Sequence, residues 1–369
     1  MISIKLKTKE LSSTLSKLLR MLDKKSIEPI SNFVFFKPEK EGFFLCASDG
    51  KISLKRRIDA EGMEGEKGFG IPHKKFLNLL KVSGEDIQLV FDEENMWVNV
   101  VGDKFKSSIP GIPEDMLAVD FTTPSSKTSI NFLDLSLALK KVIYASPNES
   151  STYGIDGVKV IVDSGKIISM ATDGFLLALY EKDFEGDAAP ISFVIPKKIA
   201  RSISSFFDAG EIHISKRDSE VCFSMEDTIL ISPTIEDRFP DSILDVKNRR
   251  GESVLTIPKD ELEKSFRTAK MFNEKKTGAR LLLSAREGIK LLVEEEQGRL
   301  DFSLEGNYAG EDMELVLDEK GMLDVIANLE QPNVNIELFG SRNPIMVREN
   351  GDNYIYVNLI TPLSEEGEL

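Results

Sequence analysis

Cysteine and histidine are scarce in this chain of 369 residues, which has two of each. Cys46 and Cys222 lie in apolar, strand-like runs far apart in the sequence. A disulfide between them is an open alternative to the two buried thiols that we expect. His73 and His213 have no neighbouring motif that would supply a nucleophile, and no pair of cysteines or histidines has metal-ligand spacing. The sequence therefore predicts no metal, no cofactor and no catalytic residues.

Long apolar runs are absent as well. No stretch is long and apolar enough to span a bilayer, and the N-terminus lacks the apolar region of a signal peptide. We therefore expect a cytoplasmic protein without a membrane partner. The glycines of residues 62–70 do not form a phosphate loop, because two glutamates interrupt them and no Gly-Lys-Ser/Thr follows.

Positive charge is also in deficit, with a formal net charge of −15 at pH 7. This value by itself argues against a nucleic-acid partner. Six segments with helical patterns nevertheless carry a net charge of +8; they are residues 7–25, 72–81, 133–146, 196–208, 258–270 and 318–330. The last segment is acidic, and the other five total +11. Charge is thus sorted by secondary structure, which is consistent with either a basic helical surface or ordinary solvated helix faces.

What the chain does have is a repeat of about 62 residues, in which a short apolar strand pattern runs into an amphipathic helix pattern. The residues that open the six helices are Lys7, Pro72, Leu133, Pro196, Pro258 and Asp318. Proline suits a helix start because its missing N–H leaves no helical hydrogen bond unmade. Apolar runs joined by turn signals follow each helix, so each unit is predicted to be a strand, a helix and about three antiparallel strands.

Two such units have the size of one domain, so we expect an α+β protein of three domains. Their predicted bounds are residues 1–122, 128–246 and 252–363. Polar, turn-prone linkers at 122–126 and 247–251 separate them. The final residues, 364–369, are acidic and unpatterned, and we expect a disordered tail.

Five short motifs resemble one family when they are taken in order. They are Ala171-Thr172-Asp173-Gly174, Val194-Ile195-Pro196-Lys197-Lys198, Arg238-Phe239-Pro240-Asp241, Asn273-Glu274-Lys275 with Gly278-Ala279-Arg280-Leu281, and Tyr153 with Gly157. With the three-domain repeat, they make the chain similar to the bacterial DNA polymerase III β subunits, the sliding clamps. The resemblance covers essentially residues 1–363.

The resemblance implies three repeated DNA-clamp domains, and two chains joined head to tail in a ring with helices inside and sheets outside. It implies a processivity factor without chemistry of its own. The expected partners are double-stranded DNA of any sequence, the DNA polymerase III α subunit, the clamp loader complex, other proteins with a clamp-binding motif, and a second copy of this chain. A basic inner surface would neutralise phosphates, which accounts for the sorted charge.

For DNA, the resemblance and helical spacing indicate eight residues. They are Lys25, Lys74, Lys75, Asn148, Tyr153, Lys197, Lys198 and Arg201. Arg201 is included because it lies four residues after Lys197 and should share its helix face. The alternative is that some of these cations only face solvent at helix ends.

For partner peptides, the resemblance implies an apolar pocket between the second and third domains. The matching residues are Thr172, Gly174, Phe175, Leu176, Leu177, Pro240, Leu359, Ile360, Pro362 and Leu363. The family's usual His-Arg after Asp-Gly is here Phe175-Leu176, so we expect a more hydrophobic groove that accepts an extended apolar peptide. The alternative is that residues 175–177 form a core strand.

For ring closure, the resemblance implies an edge strand of the first domain against the third domain of another copy. The candidate residues are Lys104, Phe105, Lys106, Met271, Phe272, Glu294, Glu295 and Glu296. Lysines at one end and glutamates at the other favour head-to-tail pairing. Two further functions remain open at this point: a clamp-fold paralogue that acts as an interaction scaffold away from the replicative polymerase, and an α+β enzyme.

Overall fold

A computed structural model describes residues 2–23, 25–64, 67–147, 155–186, 188–275 and 277–363 of the chain. It divides into two compact units, which we call unit 1 (Met1–Ser136 with Ala188–Ile235) and unit 2 (Leu137–Asp187 with Glu236–Leu369). The predicted acidic tail, 364–369, lies outside the described residues. No helix of the described ranges is long and apolar enough to cross a membrane.

Six α-helices follow one another along the described chain. They are α1 (Thr8–Met21), α2 (His73–Leu80), α3 (Phe132–Val142), α4 (Lys197–Ser202), α5 (Lys259–Phe272) and α6 (Glu319–Asn328). Short 3-10 helices cover Pro29–Asn32, Glu114–Met116, Ile143–Ala145, Ile203–Ser205 and Asp241–Asn248.

The described residues also form 27 β-strands. Those of the first half are β1 (Ile2–Lys7), β2 (Phe33–Glu39), β3 (Gly42–Ser48), β4 (Ser53–Ile58), β5 (Ala60–Glu64), β6 (Phe69–Pro72), β7 (Asp86–Asp92), β8 (Trp97–Val101), β9 (Lys106–Pro110), β10 (Ile112–Pro113), β11 (Thr128–Asn131), β12 (Gly157–Asp163), β13 (Lys166–Thr172) and β14 (Leu176–Asp183). Those of the second half are β15 (Ile191–Pro196), β16 (Glu211–Arg217), β17 (Glu220–Met225), β18 (Thr228–Pro233), β19 (Ser253–Pro258), β20 (Ala279–Ser284), β21 (Gly288–Glu295), β22 (Gly298–Leu304), β23 (Asn307–Ala309), β24 (Met313–Leu317), β25 (Asn333–Leu338), β26 (Ile345–Asn350) and β27 (Tyr354–Ile360).

The predicted repeat is confirmed. Each α-helix directly follows a strand (β1, β6, β11, β15, β19 or β24), and antiparallel strands follow each helix. Five of the six aligned residues are the N-cap residues of their helices; the exception is Leu133, which lies inside α3. Pro72, Pro196 and Pro258 are therefore caps rather than first-turn residues. The restricted φ of proline fits both a strand end and an N-cap.

The first helix is shorter than the predicted segment 7–25. It ends at Met21, because Leu22 adopts extended backbone angles. Asp23 then forms a side-chain turn, in which its carboxylate accepts a 3.0 Å hydrogen bond from the Lys25 backbone N–H. Side chains of this kind compete with helical hydrogen bonding. Lys25 consequently lies in a turn and not on the helix.

Apart from β15, the strands of unit 1 form two sheets, and the strands of unit 2 form two more. In unit 1 the strand orders are β5-β1-β7-β8-β9 and β10-β6-β2-β3-β4-β18-β17-β16-β11. The strands that belong to unit 2 follow the orders β12-β13-β14-β27-β26-β25-β19-β23 and β22-β21-β20-β24. The pairs β4–β18 and β14–β27 join strands that we assign to neighbouring domains, so the units divide the chain differently from the three expected domains, whose bounds remain a prediction.

Both cysteines belong to unit 1 and are free, buried thiols. Cys46 on β3 and Cys222 on β17 are separated in the sheet by β4 and β18. Neighbouring strands lie about 4.8 Å apart, so three spacings place the two cysteines too far apart to form a disulfide. Burial raises the pKa of Cys46 to about 12 and that of Cys222 to about 11, so neither thiol is reactive at neutral pH.

Candidate functional site

Exposed cations stand at the start of α2. Lys74 and Lys75 are its second and third residues and are exposed, while Phe76 and Leu80 are buried on the other side of the helix. A helix N-terminus carries partial positive charge, so two lysines there are unfavourable by about 0.3–1 kcal/mol each. Because they do not stabilise the helix, their position suits an anionic partner.

A second basic helix start occurs at α4. Lys197 and Lys198 open this helix, and Arg201 follows four residues after the first of them. Lys198 and Arg201 are exposed, and Lys197 is half-buried. The Lys198 Nζ donates a 2.5 Å hydrogen bond to the backbone oxygen of Leu22, directly after α1. Lys198 therefore also ties α4 to the end of α1, a structural role that the sequence did not indicate.

Of the other three predicted DNA-binding residues, the structure describes Lys25. Lys25 is exposed in the turn after α1. Asn148 and Tyr153 lie outside the described residues. The described cations of this set, Lys25, Lys74, Lys75, Lys197, Lys198 and Arg201, all belong to unit 1.

A small apolar cluster in unit 2 contains part of the predicted peptide pocket. Its buried members are Leu177, Val246, Met346 and Val357, and the partly buried residues packed against them are Ile243, Phe339, Ile355 and Leu359. We call these eight residues the apolar cluster. It joins the strand pair β14–β27, the neighbouring β26, and the 3-10 helix Asp241–Asn248.

Strand register decides which of the predicted pocket residues belong to this cluster. Leu177 lies opposite Leu359, and Leu176 lies opposite Ile360. Neighbouring side chains of a strand point to opposite faces. Leu177 and Leu359 therefore reach the apolar cluster, whereas Leu176 and Ile360 are buried on the other face of the sheet. Phe175 is 47% exposed, so residues 175–177 are not wholly a core strand.

A tight turn connects β13 to β14, the strand that pairs with β27. The Asp173 carboxylate accepts hydrogen bonds from the backbone N–H groups of Phe175 (2.9 Å) and Leu176 (2.7 Å). Gly174 has φ +99°, a conformation that favours glycine. The backbone N–H of Thr361 then donates to the Phe175 oxygen at 2.9 Å. The Asp-Gly pair thus has a structural purpose, which is to start the strand that carries Leu177.

The remaining predicted pocket residues lie at the borders of the cluster or beyond it. Thr172 is half-buried, and its hydroxyl accepts from the Gly174 N–H at 3.1 Å. Pro240 is the exposed N-cap residue of the 3-10 helix Asp241–Asn248. Leu363 donates its backbone N–H to Val316 at 2.8 Å and turns its side chain towards Gly278. Leu363 is thus held by β24, and half-buried Pro362 precedes it.

The sequence reasoning missed Ile243, Val246, Met346 and Val357. Ile243 and Val246 belong to the segment that precedes the predicted linker, where an i, i+3 apolar pair is the available signal. Met346 and Val357 lie on strands that are mostly buried, so apolar alternation could not distinguish one face from the other.

Two lysines hold one carboxylate beside the cluster. Glu181 on β14, with a side chain 4% exposed, forms ion pairs with Lys166 at 2.7 Å and with Lys247. Burial alone would raise the pKa of Glu181, but the hydrogen bonds from both lysines lower it below its ordinary value. Lys247 directly follows Val246, so this contact fixes one wall of the cluster to β14.

The predicted dimer residues lie at or next to sheet edges. Lys106 begins β9, the edge strand of the five-stranded sheet of unit 1, and exposed Lys104 with half-buried Phe105 precedes it. In unit 2, β22 is an edge strand, and Met271 at the end of α5 is 73% exposed. Phe272 is half-buried beside Gly298, the first residue of β22.

The three predicted glutamates already have partners in their own chain. Glu294 lies 3.4 Å from Arg299, Glu296 pairs with Lys275, and the Glu295 carboxylate accepts from the Lys275 backbone N–H at 3.1 Å. These contacts are exposed and therefore weak, so they do not prevent a second partner from competing for the same carboxylates.

The two histidines lie in different elements of unit 1. His73 is half-buried at the start of α2, where burial and the neighbouring Lys74 lower its pKa. The His213 Nδ1 lies 2.6 Å from the Ser129 hydroxyl, across the β11–β16 pair. Among the described residues, no group of three His, Cys, Asp or Glu side chains could hold a metal ion.

Comparison with known families matches almost the whole chain in three parts. The model of the DNA polymerase III beta subunit N-terminal domain matches residues 2–115, that of the central domain matches 130–241, and that of the C-terminal domain matches 248–363. A beta sliding clamp of Vibrio cholerae is 23% identical over 340 residues, which cover 91% of this chain and 92% of that relative.

Solved structures have the same fold. The DNA polymerase III beta chain of Streptococcus pneumoniae superposes with a TM-score of 0.90 at 18% identity, covering 99% of this chain and 100% of that one. A sliding clamp of Pseudomonas aeruginosa bound to griselimycin has a TM-score of 0.86 at 21% identity, covering 98% and 99%.

Proposed function

Because the chain belongs to the DNA polymerase III beta subunit family, we propose that it is a sliding clamp, which encircles duplex DNA and tethers the replicative polymerase. The observation that carries this proposal is the match of all three domain models, in order, over residues 2–363. The protein then acts as a non-catalytic processivity factor and works in the cytoplasm, where a clamp loader complex opens the ring and closes it around DNA.

Duplex DNA is held by the cations that begin α2 and α4. Exposed Lys74, Lys75 and Arg201 contact phosphates without reading bases, and Lys25 adds a fourth exposed cation. Lys197 and Lys198 contribute from α4, although Lys198 also bonds to Leu22. Contacts of this type are strong at low salt and independent of sequence, so the ring slides while topology retains it.

Partner proteins, among them the DNA polymerase III α subunit, bind the apolar cluster through an extended peptide. Supporting this assignment, Leu177 and Leu359 lie side by side on paired strands, and exposed Phe175 enlarges the apolar surface nearby. An apolar anchor in a pocket of this kind supplies most of the affinity of a peptide complex.

The ring closes when β9 of one copy meets the third domain of another at the β22 edge. Both strands are sheet edges with unpaired backbone groups, which can extend one sheet into the next. Lys104 and Lys106 on one side complement the glutamates of residues 294–296 on the other.

The test is retention on DNA of different topology. The full-length protein is loaded onto nicked circular DNA by its clamp loader, and bound protein is separated by gel filtration before and after a restriction enzyme cuts the circle. We expect retention on the circle and loss from the cut DNA. Cut DNA with a bulky protein block at each end is the matched control and should retain the clamp. Equal retention on circular and unblocked linear DNA would disprove topological binding.

A further inference from the structure

A cleft of about 600 Å³ opens on unit 1, and none of the residues that line it is assigned a function above. It lies over the strand pair β4–β18, where Lys55 is opposite Ile229. The chain segment of residues 119–123 forms one side of the cleft, and the turns after β2 and β17 contribute to its border.

The cleft lies on the strand pair of unit 1 that the internal repeat relates to β14–β27 in unit 2. The turn before β4 repeats the turn before β14. The Asp49 carboxylate accepts hydrogen bonds from the backbone N–H groups of Lys51 (3.0 Å) and Ile52 (2.8 Å). The Asp173 carboxylate likewise accepts from the backbone N–H groups two and three residues after it. Gly50 has φ +87°, which matches Gly174. The internal repeat therefore aligns β4 with β14.

The chemistry at the two aligned positions differs. Lys55 aligns with Leu179, and its partner Ile229 aligns with Val357 of the apolar cluster. Lys55 is 8% exposed; its Nζ lies 2.5 Å from the Glu39 carboxylate and 4.1 Å from the centre of the Phe44 ring. A buried lysine, paired with a half-buried glutamate, thus lies in the wall of the cleft, where unit 2 has a leucine.

Four apolar side chains line the cleft, and most of its charged lining residues are acidic. Phe44 and Phe121 are buried, and Val119 and Ile229 are half-buried. Its acidic side chains number five, against two lysines.

Three of these five carboxylates are already neutralised within the chain. Glu39 pairs with Lys55, Asp120 with Arg217 at 2.8 Å, and Asp227 with Arg57 at 3.0 Å. Glu41 and Glu226 are exposed, and neither has an ion-pair partner among the described residues. Lys37, half-buried on β2, remains as a donor for a carbonyl group.

We propose that this cleft is a second docking site, which takes an extended segment of a partner protein that presents a bulky apolar side chain between basic ones. The apolar side chain contacts the half-buried Val119 and Ile229, and the basic side chains pair with Glu41 and Glu226. The cleft and the apolar cluster share no residues, so each takes a different partner segment.

The experiment follows methyl NMR resonances of the full-length protein, labelled at isoleucine, leucine and valine methyl groups, during titration with acetyl-Arg-Phe-Arg-amide. We expect saturable shifts of the Val119 and Ile229 methyls, whereas those of Leu177 and Leu359 should not move. Acetyl-Glu-Phe-Glu-amide, the matched probe, should give no shifts. Shifts confined to Leu177 and Leu359, or equal shifts with both probes, would overturn the proposal.

Variants test the border charges. In Glu41→Lys/Glu226→Lys, the dissociation constant of the basic peptide should rise at least tenfold. Glu94 is an exposed residue of the same unit that does not line the cleft, so Glu94→Lys should change the dissociation constant of the basic peptide by less than twofold. Both substitutions are on exposed turns, so folding should be preserved, and undisturbed methyl spectra confirm it. Unchanged affinity in the double variant, or an equal loss in Glu94→Lys, contradicts the assignment. Each of these outcomes is independent of whether the protein is retained on DNA.

Discussion

Arg348 on β26 and Glu337 on β25 form a buried ion pair, 2.5 Å from Nε to Oε1, with side chains 7% and 8% exposed. The other two guanidinium nitrogens of Arg348 donate to the backbone oxygens of Lys247 (2.8 Å) and Arg249 (2.7 Å). The second oxygen of Glu337 accepts from the Gly251 N–H at 2.9 Å. This pair therefore fastens the linker of residues 247–251, and with it the wall that carries Val246, to the sheet of unit 2.

Replacing Arg348 should destabilise the protein strongly. In Arg348→Met, Glu337 loses its ion-pair partner in a buried site, and the loss in the free energy of unfolding should be about 3–5 kcal/mol. Urea denaturation monitored by circular dichroism measures it. Arg342→Met, which removes an exposed arginine from the same part of the chain, should change stability by no more than about 0.5 kcal/mol. Equal stability of the two variants would show that the linker needs no such anchor.

Glu181 should make stability depend on pH. Its pKa is lowered in the folded protein by Lys166 and Lys247, so the folded state favours the ionised form. This stabilisation is present above the ordinary glutamate pKa of about 4.3 and is lost as pH falls through the lower folded value. Glu181→Gln should therefore be less stable than the parent at pH 7, and the difference should shrink below pH 4.

Urea unfolding at several pH values measures this difference. Glu185→Gln is the matched control, since Glu185 is exposed, and it should follow the parent at every pH. A Glu181→Gln difference that stays constant between pH 7 and pH 3 would contradict the expected linkage.

Charge reversal at the start of α2 should weaken DNA binding and its salt dependence. Each phosphate contact contributes about one unit to the slope of log K against log salt. Lys74→Glu/Lys75→Glu should lower that slope by about two, for any DNA sequence, in filter-binding or anisotropy titrations. Lys40→Glu, an exposed lysine after β2, should leave the slope unchanged. The same slope in both variants would remove α2 from the DNA surface.

Leu177→Lys should abolish peptide binding without affecting DNA binding. The substitution places a charge in the apolar cluster next to Leu359. An extended peptide from the DNA polymerase III α subunit should bind at least 100-fold more weakly, as measured by fluorescence anisotropy. Exposed Phe175→Ser should cost less, about tenfold or under, because Phe175 lies outside the buried part of the cluster. Undiminished binding to Leu177→Lys would place the peptide site elsewhere.

Charge reversal before β9 should weaken self-association. In Lys104→Glu/Lys106→Glu, the strand would face glutamates 294–296 of another copy with like charge. Sedimentation velocity should show a shift from dimer to monomer at micromolar concentration. Lys51→Glu, an exposed lysine away from the β9 edge, should sediment like the parent. If the double variant remains a dimer, the ring does not close through these lysines.

Several features could be predicted from local patterns. Pro72, Pro196 and Pro258 each directly precede the first residue of a helix, because a backbone constraint acts within the chain segment that contains it. Lys25 was misplaced because the end of α1 depends on Asp23, whose backbone N–H also donates to the Asp49 carboxylate at 2.5 Å, 26 residues away. The resemblance indicated Leu177, but the wall opposite it, formed by Val246 and Met346, could not be deduced from sequence periodicity.

The sequence by itself determined the six-fold repeat, the start of nearly every helix, the sorting of cations onto helices, and the family to which the chain is similar. These features are encoded within short segments, by proline, by helical spacing and by side-chain charge. Only the tertiary structure decided that Lys198 bonds to Leu22, that Arg348 anchors the linker, and that Lys55 lines a cleft at the position where Leu179 stands in the other unit. Lys198 and Leu22 are 176 positions apart and Arg348 and Lys247 are 101 apart, and the strand face that distant residues share depends on register across a sheet.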